Sequence, residues 1–237
     1  MNIKEAIILA GGKGTRLKSL VADIPKPLAP INNIPFLTLL IRYLKTQGIQ
    51  RVILSVGYKW ELIKNEYGNK FEDIDIDYSI EETPLGTGGG IAKALKIAND
   101  QDILILNGDS FCKIDIEDFY LFHAYYPSSL SIGIKEMENF SRYGSIEINQ
   151  DKIIAFNEKK FIEKGYINTG VYIANKDLFS NTLLGEKFSF EEDFLCPEVI
   201  KGNFYGYKTN SYFIDIGIPE DYIKAEMELI KMIDNGN

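Results

Sequence analysis

Residues 6–30 constrain this chain more than any other stretch, because an apolar run of strand length passes without a break into a glycine-rich, basic loop. Ala6 to Ala10 is continuously apolar, as in a strand covered on both faces of a parallel sheet. Gly11, Gly12 and Gly14 follow at once, and without Cβ atoms they let backbone N–H groups come close to an anion. Lys13, Arg16, Lys18 and Lys26 add four cations to a span whose one acid is Asp23. The natural guest of such a loop is a polyphosphate. Two familiar phosphate loops are excluded. Lys13 is followed by Gly14 rather than Ser or Thr, and Leu17 stands where a dinucleotide fingerprint needs its third glycine.

The chain of 237 residues is long enough for one substantial core and fits a single α/β domain. Its net charge of −8 argues against a nucleic-acid partner or an anionic membrane surface, either of which needs a basic face rather than one basic loop. Cys112 and Cys196 lie far apart without metal-ligand spacing, and are expected to be reduced and buried or inert. No leader-like segment opens the chain and no apolar run nears the roughly 18 residues of a membrane span, so a cytosolic protein is expected.

After the loop, Asn33 can cap a helix with Pro35 at its first position and an apolar stripe of Phe36, Leu37, Leu40, Ile41 and Leu44, stopping at Gly48. Residues 51–56 read as a second buried strand, 59–67 as a helix ending near Gly68, and 74–80 as a half-exposed strand. This alternation predicts βαβ crossovers and a mainly parallel sheet. A second glycine loop, Glu81 to Gly90, again lies between a strand and a helix, the latter expected over 91–98. Loops at the carboxyl ends of strands surround the ligand crevice of an open α/β sheet, so both glycine loops should face one pocket. Equally, Thr87 can cap the helix while the glycines let it pack closely. Residues 101–106 form a further strand ending in Asn107, Gly108 and Asp109, and a carboxylate there is either a turn cap or a cation ligand.

Asp115 and Asp118 suit the cap of a helix over 116–126. His123, the one histidine, falls within that helix and reads as a structural residue, not a general base, and no nucleophile triad is supported. Strands are expected at 131–135, 145–148, 153–157 and 167–174. Ser189 and Glu192 form a capping box for a helix ending near Pro197, and 204–208 should pair with 212–214. Pro219 opens a last amphipathic helix whose Tyr222, Ala225, Met227, Leu229 and Ile230 are core contacts or a homodimer face.

ILAGGKGTRL at 8–17, PKPLAP at 25–30, PLGTGGGI at 84–91 and FIDIGIPEDY at 213–222 together resemble the sugar-1-phosphate nucleotidylyltransferases, along nearly the whole chain. The resemblance implies one Rossmann-like α/β domain with a mixed, mainly parallel central sheet flanked by helices, the nucleotide-diphospho-sugar transferase fold. A nucleotide-binding half covers about 1–110 and a sugar-binding half about 111–237. It implies transfer of a nucleoside monophosphate from an NTP to a sugar 1-phosphate, with pyrophosphate released. The matching nucleotide-binding positions are Leu9, Gly11, Gly12, Gly14, Thr15 and Arg16 in the first loop, with Glu81, Leu85, Gly86, Thr87 and Gly108 around the base and phosphates. Arg16, Lys26 and Asp109 match catalytic positions, and Asp109 with Asp215 the ligands of a Mg²⁺ ion. Tyr143 and Gly144 of the RYG turn, Glu158, Lys159 and Asn168 match the sugar-phosphate site, although Lys160 stands where the family often has proline.

Within the family, the resemblance runs furthest toward the branch that uses GTP and a D-glycero-D-manno-heptose 1-phosphate. Glu81 agrees with guanine, whose adjacent N1–H and N2–H donors one carboxylate can accept together. Guanylyl transfer to mannose 1-phosphate, and thymidylyl or uridylyl transfer to glucose 1-phosphate, share the remaining motifs. An inactive nucleotide-sugar sensor would share them too, whereas a glycosyltransferase would usually carry Asp-x-Asp where Asn107, Gly108 and Asp109 stand. The chain closes soon after the Asp215 segment, so a single activity is expected, without the second β-helical domain of bifunctional relatives.

Overall fold

The computed structural model describes residues 3–12, 24–201 and 203–234. Strand β1 (Glu5–Leu9) leads to a hairpin of β2 (Pro30–Ile31) and β3 (Ile34–Pro35), then α1 (Phe36–Thr46), β4 (Arg51–Val56), α2 (Trp60–Tyr67), β5 (Lys70–Phe71), β6 (Ile74–Ile80) and α3 (Gly86–Leu95). β7 (Asp102–Asn107), β8 (Ser110–Cys112) and α4 (Ile116–Tyr125) follow. The second half contains β9 (Leu130–Phe140), β10 (Ser145–Asn149), β11 (Lys152–Phe156) and β12 (Ile162–Asn175). A π-helical turn, Phe190–Leu195, then runs into the short α5 (Cys196–Glu198), followed by β13 (Phe204–Thr209), β14 (Phe213–Asp215) and α6 (Pro219–Asp234).

Among the described residues, ten strands form one mixed sheet in the order β10-β11-β13-β9-β12-β7-β1-β4-β6-β5. The parallel character belongs to the first half of the chain, where β7, β1, β4 and β6 run side by side. In the second half β12 is antiparallel to both β7 and β9, while β13 is parallel to β9. Short connections explain the change. Gln150 and Asp151 alone separate β10 from β11, and a two-residue link permits only an antiparallel neighbour.

The leading strand shows how the core is divided. Successive side chains point to opposite faces, so Ala6 and Ile8 pack with Leu37, Leu40 and Leu229, while Ile7 packs with Ile91, Leu95 and the aromatic side chains of the π-helical turn. Both faces are dry, as expected for a strand at the centre of a parallel sheet. Glu5, at the strand's start, is buried but satisfied. Its Oε2 accepts the N–H groups of Asn99 and Asp100 at 2.6 and 2.9 Å, and Oε1 is ion-paired to Arg51, which also binds Asp77.

Three expectations are corrected. Asn33 does not cap α1. It forms, with Asn32, the two-residue turn of the β2–β3 hairpin, both at positive φ (67° and 49°), a conformation asparagine tolerates, and Pro35 is the residue before the helix. Helix α3 begins at Gly86, not near residue 91, so the glycines lie in its first turns. β14 pairs with β8 and not with β13, because both edges of β13 are already taken by β9 and β11. Cys196 is exposed, whereas Cys112 is buried with its thiol pushed up to about 12 by desolvation. Of the α6 positions, Tyr222, Ala225 and Leu229 are core, and Met227 is exposed.

Candidate active site

The carboxyl ends of the four parallel strands open into one cleft of about 1550 Å³. Leu9 ends β1 and Gly11 and Gly12 follow it, Ser55 lies near the end of β4 and Gly57 just beyond it, Glu81 follows β6, and Asn107, Gly108 and Asp109 leave β7, all lining it. This is the crevice that strand polarity places in an open α/β sheet. Lys13, Gly14, Thr15, Arg16 and Lys18 lie outside the described residues.

The acidic pair meets by β-pairing rather than by sequence proximity. β8 and β14 run antiparallel with Ser110 opposite Asp215, and Ile216 N–H donates to the Asp109 carbonyl at 3.0 Å, which brings Asp109 beside Asp215. Lys26, in a short 3-10 turn between prolines and 9% exposed, inserts between them. Its Nζ donates to Asp109 Oδ2 at 2.6 Å and lies 3.8 Å from Asp215 Oδ1. Asp215 also accepts Gly217 N–H at 2.7 Å and faces Arg142 at 3.6 Å, and Arg142 is anchored in turn on Asp221. Burial, and after it the negative charge of Asp109, hold the Asp215 carboxyl above its usual range. The same environment, burial first and then Asp215, pushes the neighbouring Tyr143 phenol up to about 12.

Two converging carboxylates that share one ammonium, beside a phosphate-sized cleft, form a donor set suited to a hard divalent cation completed by substrate phosphates. No group of three or more His, Cys, Asp or Glu residues forms a metal cage among the described residues. The set thus fits a cation held with substrate rather than by protein alone.

Just beyond the end of β6, Glu81 is fixed by its neighbours. Oε2 accepts Leu85 N–H at 2.9 Å and Oε1 accepts the Ser55 hydroxyl at 3.3 Å, leaving each oxygen a further acceptor position. Leu85 is not part of the lining, and its carbonyl accepts Phe188 N–H at 2.9 Å. Gly86 and Thr87 do line the cleft, and the Gly108 amide is used internally, donating to the Leu9 carbonyl at 3.0 Å.

Tyr143, Gly144, Glu158, Lys159 and Asn168 all line the opposite part of the cleft. Asn168 is aimed by a bulge in β12. Gly170, at φ +75°, stands where a Cβ would lie 2.5 Å from Asn107 Nδ2, so the strand can kink there without a clash. Gly170 N–H then donates to Asn168 Oδ1 at 2.9 Å, and Asn168 Nδ2 donates to the Tyr172 hydroxyl at 2.8 Å. His123 is far from this chemistry, buried with Nδ1 2.8 Å from Ser131 Oγ and Nε2 3.7 Å from Asp102.

The cleft also holds Ser189, Glu191, Glu192 and Cys196, which the sequence did not mark as site residues. Ser189 Oγ accepts Glu192 N–H at 3.2 Å as a cap should, but Ser189 N–H donates to Asp193, not to Glu192. Burial, then the charges of Glu191, Glu192 and Glu158, raise the Cys196 thiol, so it is a poor nucleophile.

The sequence profile of the family described as Nucleotidyl transferase matches residues 5–232. The chain belongs to this family. A family relative, D-glycero-alpha-D-manno-heptose 1-phosphate guanylyltransferase of Aneurinibacillus thermoaerophilus, is 49% identical over 95% of this chain and 98% of its own. The protein of that name from Campylobacter jejuni is 48% identical over 92% and 96%. The crystal structure of HddC from Yersinia pseudotuberculosis superimposes with a TM-score of 0.85 at 41% identity, covering 95% of this chain and 99% of that one, and the same protein complexed with GMP-PN superimposes with a TM-score of 0.84.

Proposed function

We propose that this member of the family transfers GMP from GTP to D-glycero-α-D-manno-heptose 1-phosphate, giving GDP-heptose and pyrophosphate. The observation that carries this reading is the near-complete, two-way coverage at 49% identity with a heptose 1-phosphate guanylyltransferase. The geometry agrees, because one cleft has a fixed carboxylate on its base side and hydroxyl-binding groups on its sugar side.

The acceptor phosphate is already an anion, so no residue has to activate it by removing a proton. The protein has instead to bring two anions together in line and stabilise the charge that builds up in the transition state. Lys26 supplies a buried cation at the reacting phosphates, and Arg16 with the amides of the first glycine loop binds the triphosphate. Lys159 offsets the charge of the sugar phosphate, while Glu158 and Asn168 hold sugar hydroxyls. Glu81 reads the guanine edge. Asp109 and Asp215 would hold a Mg²⁺ ion, which when bound neutralises phosphate charge and polarises phosphate oxygens.

Residues 1–110 serve the nucleotide and 111–237 the sugar within one domain. None of the described helices is long and apolar enough to cross a membrane, and we place the enzyme in the cytoplasm with its GTP.

The reaction is tested with a heptose 1-phosphate carrying ¹⁸O in its phosphate. All label should remain in GDP-heptose, one atom of it bridging the two phosphorus atoms, with none in pyrophosphate. Label in the released pyrophosphate would refute attack by the acceptor phosphate on the α-phosphorus.

A further inference from the structure

The hydroxyl of Thr87 stands where the two halves of the cleft touch, and its proton and one of its two acceptor positions are engaged by protein. Thr87 lies in the first turn of α3, directly after the loop fixed by Glu81. Its Oγ1 accepts the N–H of Phe190 at 2.9 Å and donates to Glu191 Oε2 at 3.3 Å. Phe190 opens the π-helical turn, a wide helical form that often marks functional sites. The Phe190 ring meets the Tyr172 ring edge-on, with centroids 5.2 Å apart, and the Tyr172 hydroxyl accepts from Asn168 at 2.8 Å. One hydroxyl on the nucleotide helix is thus joined, through Phe190 and Tyr172, to an amide on the sugar side.

The contact is close along its length. Gly88 and Gly89 donate their N–H groups to the Phe188 carbonyl at 3.1 and 3.4 Å, and a Cβ on Gly88 would overlap the Phe188 ring. The Thr87 hydroxyl adds polar contacts to the turn itself, beside the apolar packing of Ile91 and Leu95.

We propose that Thr87 is a positioning residue for the sugar subsite rather than a base contact: its hydroxyl sets the π-helical turn, and through it Glu191 and the Asn168–Tyr172 pair. The assignment of the sugar subsite rests on the function proposed above. The seam itself does not.

The variant to make is Thr87→Val, which keeps the shape and removes the hydroxyl. Hydrogen exchange needs no substrate, and amides of residues 188–196 should exchange several-fold faster while those of β4 are unchanged. At saturating GTP the KM for the heptose 1-phosphate should rise roughly 3- to 10-fold, the range of one net hydrogen bond. The Kd of GTP alone should stay within about twofold, with Thr87→Ser restoring both readouts. Unchanged exchange over 188–196 would overturn the link, and a GTP Kd weakened as much as the sugar KM would return Thr87 to the base site. If the wild type releases no pyrophosphate from this substrate pair, the proposed function fails while the exchange result still decides the link. Should Thr87→Val not fold, Glu191→Ala, which removes the acceptor of the same hydroxyl, is read by the same measurements and limits.

Discussion

Lys26→Met isolates the feature on which the acidic centre depends. Lys26 is 9% exposed and its ammonium lies 2.6 Å from Asp109 and 3.8 Å from Asp215. A hydrogen bond between charged groups contributes about 1.5–3 kcal/mol, but Asp109 is 39% exposed, and solvent screening lowers its share to about 1 kcal/mol. Asp215 is only 19% exposed and already repelled by Asp109, so losing its cation costs about another 1–2 kcal/mol. The variant should therefore unfold in urea, with EDTA present, about 2–3 kcal/mol more easily than wild type. Adding Mg²⁺ should close much of that gap, because the incoming cation no longer competes with an ammonium. Calorimetric titration should show Mg²⁺ bound about tenfold more tightly by the variant than by wild type, equivalent to about 1.4 kcal/mol. Turnover should nevertheless fall roughly 100-fold, since a preorganised charge contact is missing. Stability within about 0.5 kcal/mol of wild type in EDTA, or weaker Mg²⁺ binding, would refute the reasoning.

Glu5→Gln should cost about 2–3 kcal/mol at pH 7, because Glu5 holds two backbone amides and Arg51 from a buried position. Burial alone would raise the Glu5 carboxyl, yet its hydrogen bonds and Arg51 hold it below its usual value, so the deficit should be full above the ordinary glutamate range and fade as pH falls through the depressed native value. Denaturant melts from pH 7 to pH 3 check this; a deficit independent of pH would contradict it. Gly88→Ala sets a helix-propensity gain of about 1 kcal/mol against overpacking of the Phe188 ring by about 1–3 kcal/mol, so a thermal melt should show Tm lowered by about 3 °C, and a raised Tm would contradict the close seam.

The first half of the fold was largely legible in the sequence, because its elements are dictated locally. The apolar run at 51–56 and the alternating stretch at 74–80 became β4 and β6 with those limits, and beyond that half Asp115 accepts Asp118 N–H at 2.9 Å as the cap read from spacing. The errors fall where a distant partner decides. Glycine has low helix propensity, so residues 86–90 read as loop, yet they form the first turns of α3, where segment 186–188 lies too close to Gly86, Gly88 and Gly89 for side chains. Asn33 shows the same limit, since a cap and a two-residue turn both favour asparagine, and only the hairpin pairing separates them.

A carboxylate closing a core strand, as at Asp109, calls for a partner, whether in a turn cap or a cation. That this partner is Lys26, held between Asp109 and Asp215 by the β8–β14 ladder, could not be read from spacing. The π-helical turn was the part least visible. Ser189 and Glu192 announced a cap, but nothing in the local sequence says that this turn lies across the cleft against Thr87.

The most direct test of the account is pyrophosphate release with Mg²⁺, crossing GTP, CTP, UTP, dTTP and ATP against the 1-phosphates of D-glycero-D-manno-heptose, mannose, glucose and N-acetylglucosamine. The account predicts turnover with GTP and the manno-configured heptose, at a kcat/KM at least about tenfold above any other pair, the discrimination of one well-placed polar contact. Preference for dTTP or UTP with glucose 1-phosphate, or binding of GTP without turnover of any pair, would contradict it.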